Sequence, residues 1–174
     1  YGWLMRLAFF CWGGSVLALR VALHSFVGTR GGRIGRGWLL LIGVALFGAG
    51  IFITNAITDT TPRLANTLHT VCGAIVIMTF PIAATLVARS LAQNQKWVPA
   101  RRRLLWTTLL LWIGLLAFFG SITISNLINP SAGRVGPDVF LGWPNRLMVV
   151  VYHVWIVIVA LHSAQILEEN GKAA

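Results

Sequence analysis

Five long apolar segments, separated by short polar stretches, constrain the fold of this chain more than any other feature of its sequence. Each segment has about twenty residues, which is enough for a helix to cross a hydrocarbon layer of roughly 30 Å. Inside a membrane, backbone polar groups must be satisfied within the segment, and a helix achieves this. The predicted spans are residues 7–27, 38–57, 62–88, 104–126 and 144–167.

The composition excludes most soluble architectures. Of the 174 residues, 57% are hydrophobic and only 10% are charged, whereas soluble proteins have roughly 25% charged residues. Because the five spans occupy nearly the whole chain, no room remains for a soluble domain or a nucleotide-binding domain. Residues 1–174 are therefore predicted to form a single integral membrane domain. The predicted fold class is all-α, a polytopic transmembrane helical bundle with five visible spans.

The positive charge has a strongly uneven distribution. Fourteen Lys and Arg residues against four acids give a net charge of +10, which in a soluble chain would suggest nucleic-acid binding. Here the stretches after the first and third spans, residues 28–37 and 89–103, hold eight basic residues, and those after the second and fourth spans hold three. The positive-inside rule then predicts a cytoplasmic C-terminus and an outside N-terminus. Anionic lipid is the expected partner, and no nucleic acid is.

Glycine, proline and arginine predict the connections between the spans. The stretch 28–37, rich in Gly and Arg, is predicted to be a tight positive turn, and the stretch 89–103 a basic loop. Thr61 followed by Pro62 predicts the start of the third helix, because Pro is well tolerated at the first helical position. Pro81, deep in the third span, is predicted to kink that helix.

Helical periodicity places several polar residues on common faces. Residues three, four or seven positions apart share one side of a helix, and in the second to fifth spans these faces are small or polar toward the outer ends. We therefore expect an outer-leaflet cavity, with His69 roughly 10 Å and His153 roughly 15 Å below the outer helix ends. Its expected lining is Asn55, Asp59, Asn66, His69, Ser121, Arg146 and His153.

The candidate catalytic and cofactor-binding residues are taken from this expected lining. An ionisable group inside a membrane is costly to bury, and its presence there therefore indicates a function. The catalytic candidates are Asp59, His69 and His153, and the cofactor-binding candidates are His69, His153, Arg146 and Asn66, with the cofactor unknown.

Structural roles remain open for the same residues. Asp59 and Arg146 could form an ion pair or a cap at the outer interface, and His69 could simply hydrogen-bond to Asn66 or Asp59. Four further polar residues near the cytoplasmic ends are interpreted as interfacial: Arg20, His24, His162 and Gln165.

Three specific chemistries can be compared with the spacing of these residues. No metal site is predicted, because a zinc site would lack a third His unless Asp59 replaced it. Haem held by two histidines requires equal depth, and His69 and His153 differ by roughly 5 Å, which helix tilt could close. A transporter would ordinarily show internal repeats or broken helices, and Pro81 is the only hint of one.

One family resemblance rests on quoted residues. Asp59 at the end of the second span, His69 about two turns into the third, and the Gly142, Trp143, Pro144, Asn145, Arg146 entry into the last span resemble a family of uncharacterised prokaryotic membrane proteins, domain of unknown function 998. The resemblance covers most of residues 6–167. It implies six helices, the first of which would precede Tyr1, and a location in a prokaryotic inner membrane. It implies no reaction.

Two functions are expected from these observations. The first is an accessory or structural subunit of a larger membrane complex that binds a lipid, a quinone-like molecule or a pigment. The alternative is a membrane-embedded enzyme or redox protein with an outward-facing Asp/His site. The expected partners are membrane lipids and other membrane-protein subunits.

Overall fold

The structure is a computed structural model that describes residues 2–52, 54, 61, 63–128 and 142–172. Over these ranges it contains helices and no strand. Two short 3₁₀ helices, Leu23–Ser25 and Gln95–Ala100, accompany five α-helices: α1 (Gly2–Ala22), α2 (Arg30–Ile51), α3 (Leu64–Leu91), α4 (Arg101–Ile128) and α5 (Gly142–Lys172). All five α-helices are long and apolar enough to cross a membrane. The predicted all-α helical bundle is confirmed.

The helices pack in an order that brings the first and the last together. α2 packs against both α1 and α3, α4 packs against α3 and α5, and α1 also contacts α5. The core contains large side chains such as Leu46, Phe80, Leu111 and Trp155, all at most 1% exposed. Many other apolar side chains face outward, as expected for a bundle whose solvent is lipid.

The predicted turn over residues 28–37 is wrong, because helix α2 begins within it at Arg30. The side-chain oxygen of Thr29 accepts a hydrogen bond from the N–H of Gly32 and caps the helix. Gly32 and Gly35 are buried against α3 rather than exposed in a turn. Glycine was therefore selected here for close helix packing, which composition alone does not distinguish from a turn.

The predicted loop over residues 89–103 is also mostly helical. α3 continues to Leu91, the second 3₁₀ helix covers Gln95–Ala100, and α4 begins at Arg101. The side chain of Asn94 accepts a hydrogen bond from the N–H of Lys96 and donates one to the carbonyl of Phe26. This connection is therefore fixed to the end of α1. We call the end formed by the α1–α2 and α3–α4 connections the basic end.

The other span boundaries also shift. α2 ends at Ile51, short of the predicted residue 57, and α3 begins at Leu64 with Arg63 as its N-cap. The predicted helix start at Pro62 lies outside the described residues.

Pro81 lies inside α3, as predicted, and is fully surrounded by protein. Proline has no N–H, so the carbonyl of Ile77, one turn earlier, loses its helical donor. The hydroxyl of Tyr152 on α5 donates to that carbonyl at 2.9 Å. The carbonyl freed by Pro81 thus becomes a link between α3 and α5.

Candidate functional site

A cavity of about 360 Å³ lies among α1, α2, α3 and α5, at the end of the bundle opposite the basic end. Its volume falls within the range of small-molecule sites, roughly 300 to 1,000 Å³. None of the described residues that line it carries a formal charge, and most are apolar. The lining residues with a polar atom or a special shape are Trp12 on α1, His69 and Gly73 on α3, and Asn145, Tyr152 and His153 on α5.

His69 holds the end of α2 from the neighbouring helix. Its Nδ1 lies 2.9 Å from the carbonyl oxygens of both Ala49 and Phe52. The last carbonyls of a helix have no helical donor, so His69 satisfies groups that would otherwise be unpaired. Because carbonyls only accept, Nδ1 carries the hydrogen, and Nε2 of the neutral imidazole is left with a lone pair.

His153 has the same tautomer for a different reason. Its Nδ1 donates to the carbonyl of Val149, one turn earlier on α5, at 2.8 Å. The ring of Trp12 lies against it, with ring centroids 4.6 Å apart. In the part of the chain that the structure describes, neither His69 nor His153 uses Nε2 in a hydrogen bond. The cavity is therefore lined by two imidazoles whose acceptor nitrogens are unused.

His153 also lies at the boundary between the cavity and the outside of the bundle. It lines a second groove, formed only by α5 and running along its outer surface past Val150, Val154 and Val157. The side chain is exposed rather than enclosed. His153 is therefore accessible both from the cavity and from the lipid-facing surface.

Trp12 carries an unused donor. Its Nε1 is buried, and among the described residues it has no hydrogen-bond partner. A buried N–H without a partner is uncommon and costs free energy. The described wall thus contains two unused imidazole acceptors, and Trp12, which also lines the cavity, has an unpaired N–H.

The predicted site residues separate into three groups. His69 and His153 line one cavity, with Gly73 beside His69. Asn66, Ser121 and Arg146 do not line it: the Ser121 hydroxyl donates to the carbonyl of Phe118, and the Arg146 guanidinium lies 5.4 Å from the ring centroid of Trp143. The remaining two, Asn55 and Asp59, lie outside the described residues, so the predicted Asp59–Arg146 pair does too.

Sequence reasoning misidentified one wall of the cavity. The predicted wall from the fourth span is supplied instead by α1, through Met5, Ala8, Phe9 and Trp12. α1 reaches the cavity because it packs against α5. The spacing of polar residues did not indicate that α1 lines the cavity. Ring contacts show it instead: Phe9 contacts His69, and Trp12 contacts His153.

Metal chemistry has limited support among these residues. No group of three or more His, Cys, Asp or Glu side chains comes together within the described ranges. The two histidines could ligate a group through their Nε2 atoms, since metal-ligating histidines commonly donate the other ring N–H to a backbone carbonyl. A nucleophile next to a base is not found among the described lining residues.

The fold and the composition together define an integral membrane protein of the helical-bundle class. A family model described as protein of unknown function (DUF998) matches residues 1–162, and the chain belongs to that family. This confirms the resemblance found in the sequence. No curated protein matches the chain, and no solved structure does.

Proposed function

We propose that this protein binds a neutral, membrane-soluble molecule with an apolar body and a hydroxyl-bearing head in the cavity among α1, α2, α3 and α5. The observation that carries the proposal is the pair of histidines, His69 and His153, that line one uncharged cavity with their Nε2 acceptors unused.

The lining matches such a ligand in two respects. An apolar wall favours an apolar body, and the absence of charged side chains among the described lining residues disfavours an ionic head. The Nε2 atoms accept hydrogen bonds from hydroxyl groups, and Trp12 Nε1 donates to a carbonyl or ether oxygen. A quinone-like molecule in its quinol form, or a lipid alcohol, offers both types of group.

His153 provides a route for entry. Because it borders both the cavity and the groove outside α5, a ligand dissolved in the membrane can reach the cavity sideways. Such a ligand would not have to cross the water phase.

We also propose that this protein is an accessory or structural subunit of a larger membrane complex. In that complex the bundle would hold its ligand beside a partner subunit. With the basic end in the cytoplasm, as the positive-inside rule predicts, the cavity would lie in the outer half of the membrane.

A redox protein is the second candidate, and one observation favours it. Both histidines donate Nδ1–H to backbone carbonyls and leave Nε2 free, as haem-ligating histidines do. Purified protein with a haem absorption band that disappears in a His69→Phe variant would favour this function. A colourless preparation carrying a neutral organic molecule would favour the first.

The experiment that tests this proposal places a larger side chain in the cavity. A Cβ on Gly73 would meet no atom within 4 Å, so Gly73→Leu places an isobutyl group into open space without a clash at its base. Protein purified in mild detergent from its native membrane is extracted with organic solvent, and the extract is analysed by mass spectrometry. We expect the bound molecule to fall about tenfold in Gly73→Leu.

Gly120→Leu is the matched control. It adds the same group to a glycine of α4 that also has open space at its Cβ but does not line the cavity. Equal loss in both variants, or no enriched neutral molecule in the wild-type extract, would contradict the proposal.

A further inference from the structure

Two arginines at the basic end have buried nitrogen atoms without partners. Nε of Arg20 on α1 and Nε of Arg36 on α2 are both inaccessible to solvent, and neither has a hydrogen-bond partner among the residues that the structure describes. Both side chains are half-buried.

Arg36 contacts the segment that follows Arg20 in the chain. The Nη1 of Arg36 donates a long hydrogen bond, 3.5 Å, to the carbonyl of His24, which follows Arg20 by one helical turn. α1 and α2 are closely packed: a Cβ on Gly43 would lie 2.5 Å from a methyl carbon of Leu17. Leu17 precedes Arg20 by one turn, so the packing continues to the arginines.

No acidic side chain in the described part of the chain neutralises these two arginines. The sequence has four acids, of which Asp59 and Asp138 lie outside the described residues. Glu168 pairs with Lys172 at 2.7 Å, and Glu169 is an exposed residue of the same last turns of α5. Each buried Nε lacks an acceptor among the described residues, which is unfavourable, so an anionic group from outside the chain that accepts from these guanidinium groups would be stabilising.

We propose that Arg20 and Arg36 bind the phosphate group of an anionic phospholipid at the corner between α1 and α2. A guanidinium presents a planar fork of donors that matches phosphate oxygens, and basic pockets between transmembrane helices bind lipid headgroups. Leu40, one turn further along α2 than Arg36, is 42% exposed and offers an apolar surface to an acyl chain. This site is separate from the cavity and does not depend on its ligand.

The test compares two double variants that remove the same charge. Arg20→Gln with Arg36→Gln removes the proposed site, and Arg30→Gln with Arg33→Gln removes two exposed arginines from the first turn of α2. Detergent-purified protein is titrated with short-chain phosphatidylglycerol, and binding is measured by native mass spectrometry and by the shift in thermal unfolding temperature. Short-chain phosphatidylcholine and inorganic phosphate are titrated in parallel.

We expect wild-type protein and the Arg30/Arg33 variant to bind phosphatidylglycerol equally. The Arg20/Arg36 variant should bind it about tenfold more weakly. If that variant does not fold, Arg36→Gln alone should weaken binding in the same direction.

Three results would overturn the proposal. Equal weakening in both double variants would indicate a diffuse charge effect, and equal binding of phosphatidylcholine would remove the role of lipid charge. An equal shift with inorganic phosphate would show a free-anion site and not a lipid site.

Discussion

Gly32 and Gly35 at the basic end and Gly73 in the cavity wall have opposite surroundings. A Cβ on Gly32 would lie 2.5 Å from Cβ of Ser90, and a Cβ on Gly35 would lie 2.9 Å from the carbonyl oxygen of Ala83, so α2 and α3 are in close contact there. A Cβ on Gly73 would meet nothing within 4 Å. Close contact is not confined to the basic end, because a Cβ on Gly48 would lie 2.7 Å from Sγ of Cys72. The same residue type thus permits helix contact at some positions and leaves space for a ligand at another.

The largest expected effect concerns the basic end. In Gly32→Ala the new methyl group would also lie 2.6 Å from Oγ of Ser90, which accepts the N–H of Thr29. Overpacking of this kind costs roughly 1 to 3 kcal/mol, and we expect a loss near the upper value. Reversible unfolding in detergent measures it.

Gly73→Ala is the control for this comparison. It should leave stability unchanged or raise it by up to about 1 kcal/mol, because Ala favours helix more than Gly does. If both alanine variants lost stability equally, the contrast between these two glycine positions would be wrong.

The two histidines that line the cavity, His69 and His153, are expected to contribute differently to stability. His69→Ala removes a donor shared by two carbonyls at the end of α2, and leaving such groups unsatisfied costs about 1 to 3 kcal/mol. His153→Ala removes a bond to Val149, whose carbonyl keeps its backbone helical donor, so we expect a change below about 0.5 kcal/mol. Reversible unfolding in detergent measures both losses of stability. A larger loss in His153→Ala than in His69→Ala would contradict the prediction that His69 is the more important residue for stability.

Another expected effect concerns the link between α3 and α5. Tyr152→Phe should lose about 1 kcal/mol, because the carbonyl of Ile77 loses its hydroxyl donor. The stacking of ring 152 on Phe80, at 4.6 Å between centroids, would remain.

A double-mutant cycle isolates this effect. Pro81→Ala restores a backbone N–H that can donate to Ile77, so Tyr152→Phe should cost nearly nothing in the Pro81→Ala background. Additive effects of the two changes would show that the hydroxyl does not compensate for the proline.

The fold and part of the candidate site could be predicted from sequence. Hydropathy identified the spans because membrane thickness fixes their length. Helical spacing placed His69 and His153 on faces that the structure brings to one cavity, although their roles stay predictions. Ser121 was placed in that wall because helical spacing put it on a common face of the fourth span, but spacing does not tell which helix is the neighbour. On this part of α4, a Cβ on Gly114 would lie 3.4 Å from Cα of Met148 on α5.

The sequence by itself determined that the chain forms five apolar helices, because a lipid environment allows few other ways to satisfy the backbone over such lengths. Only the tertiary structure decided that α1 closes the cavity, that glycines at 32 and 35 lie in a helix contact, and that Arg36 reaches the carbonyl of His24. The physical reason is that apolar faces are nearly equivalent in lipid. Which faces meet depends on shape and on a few hydrogen bonds between helices, and neither is visible in hydropathy.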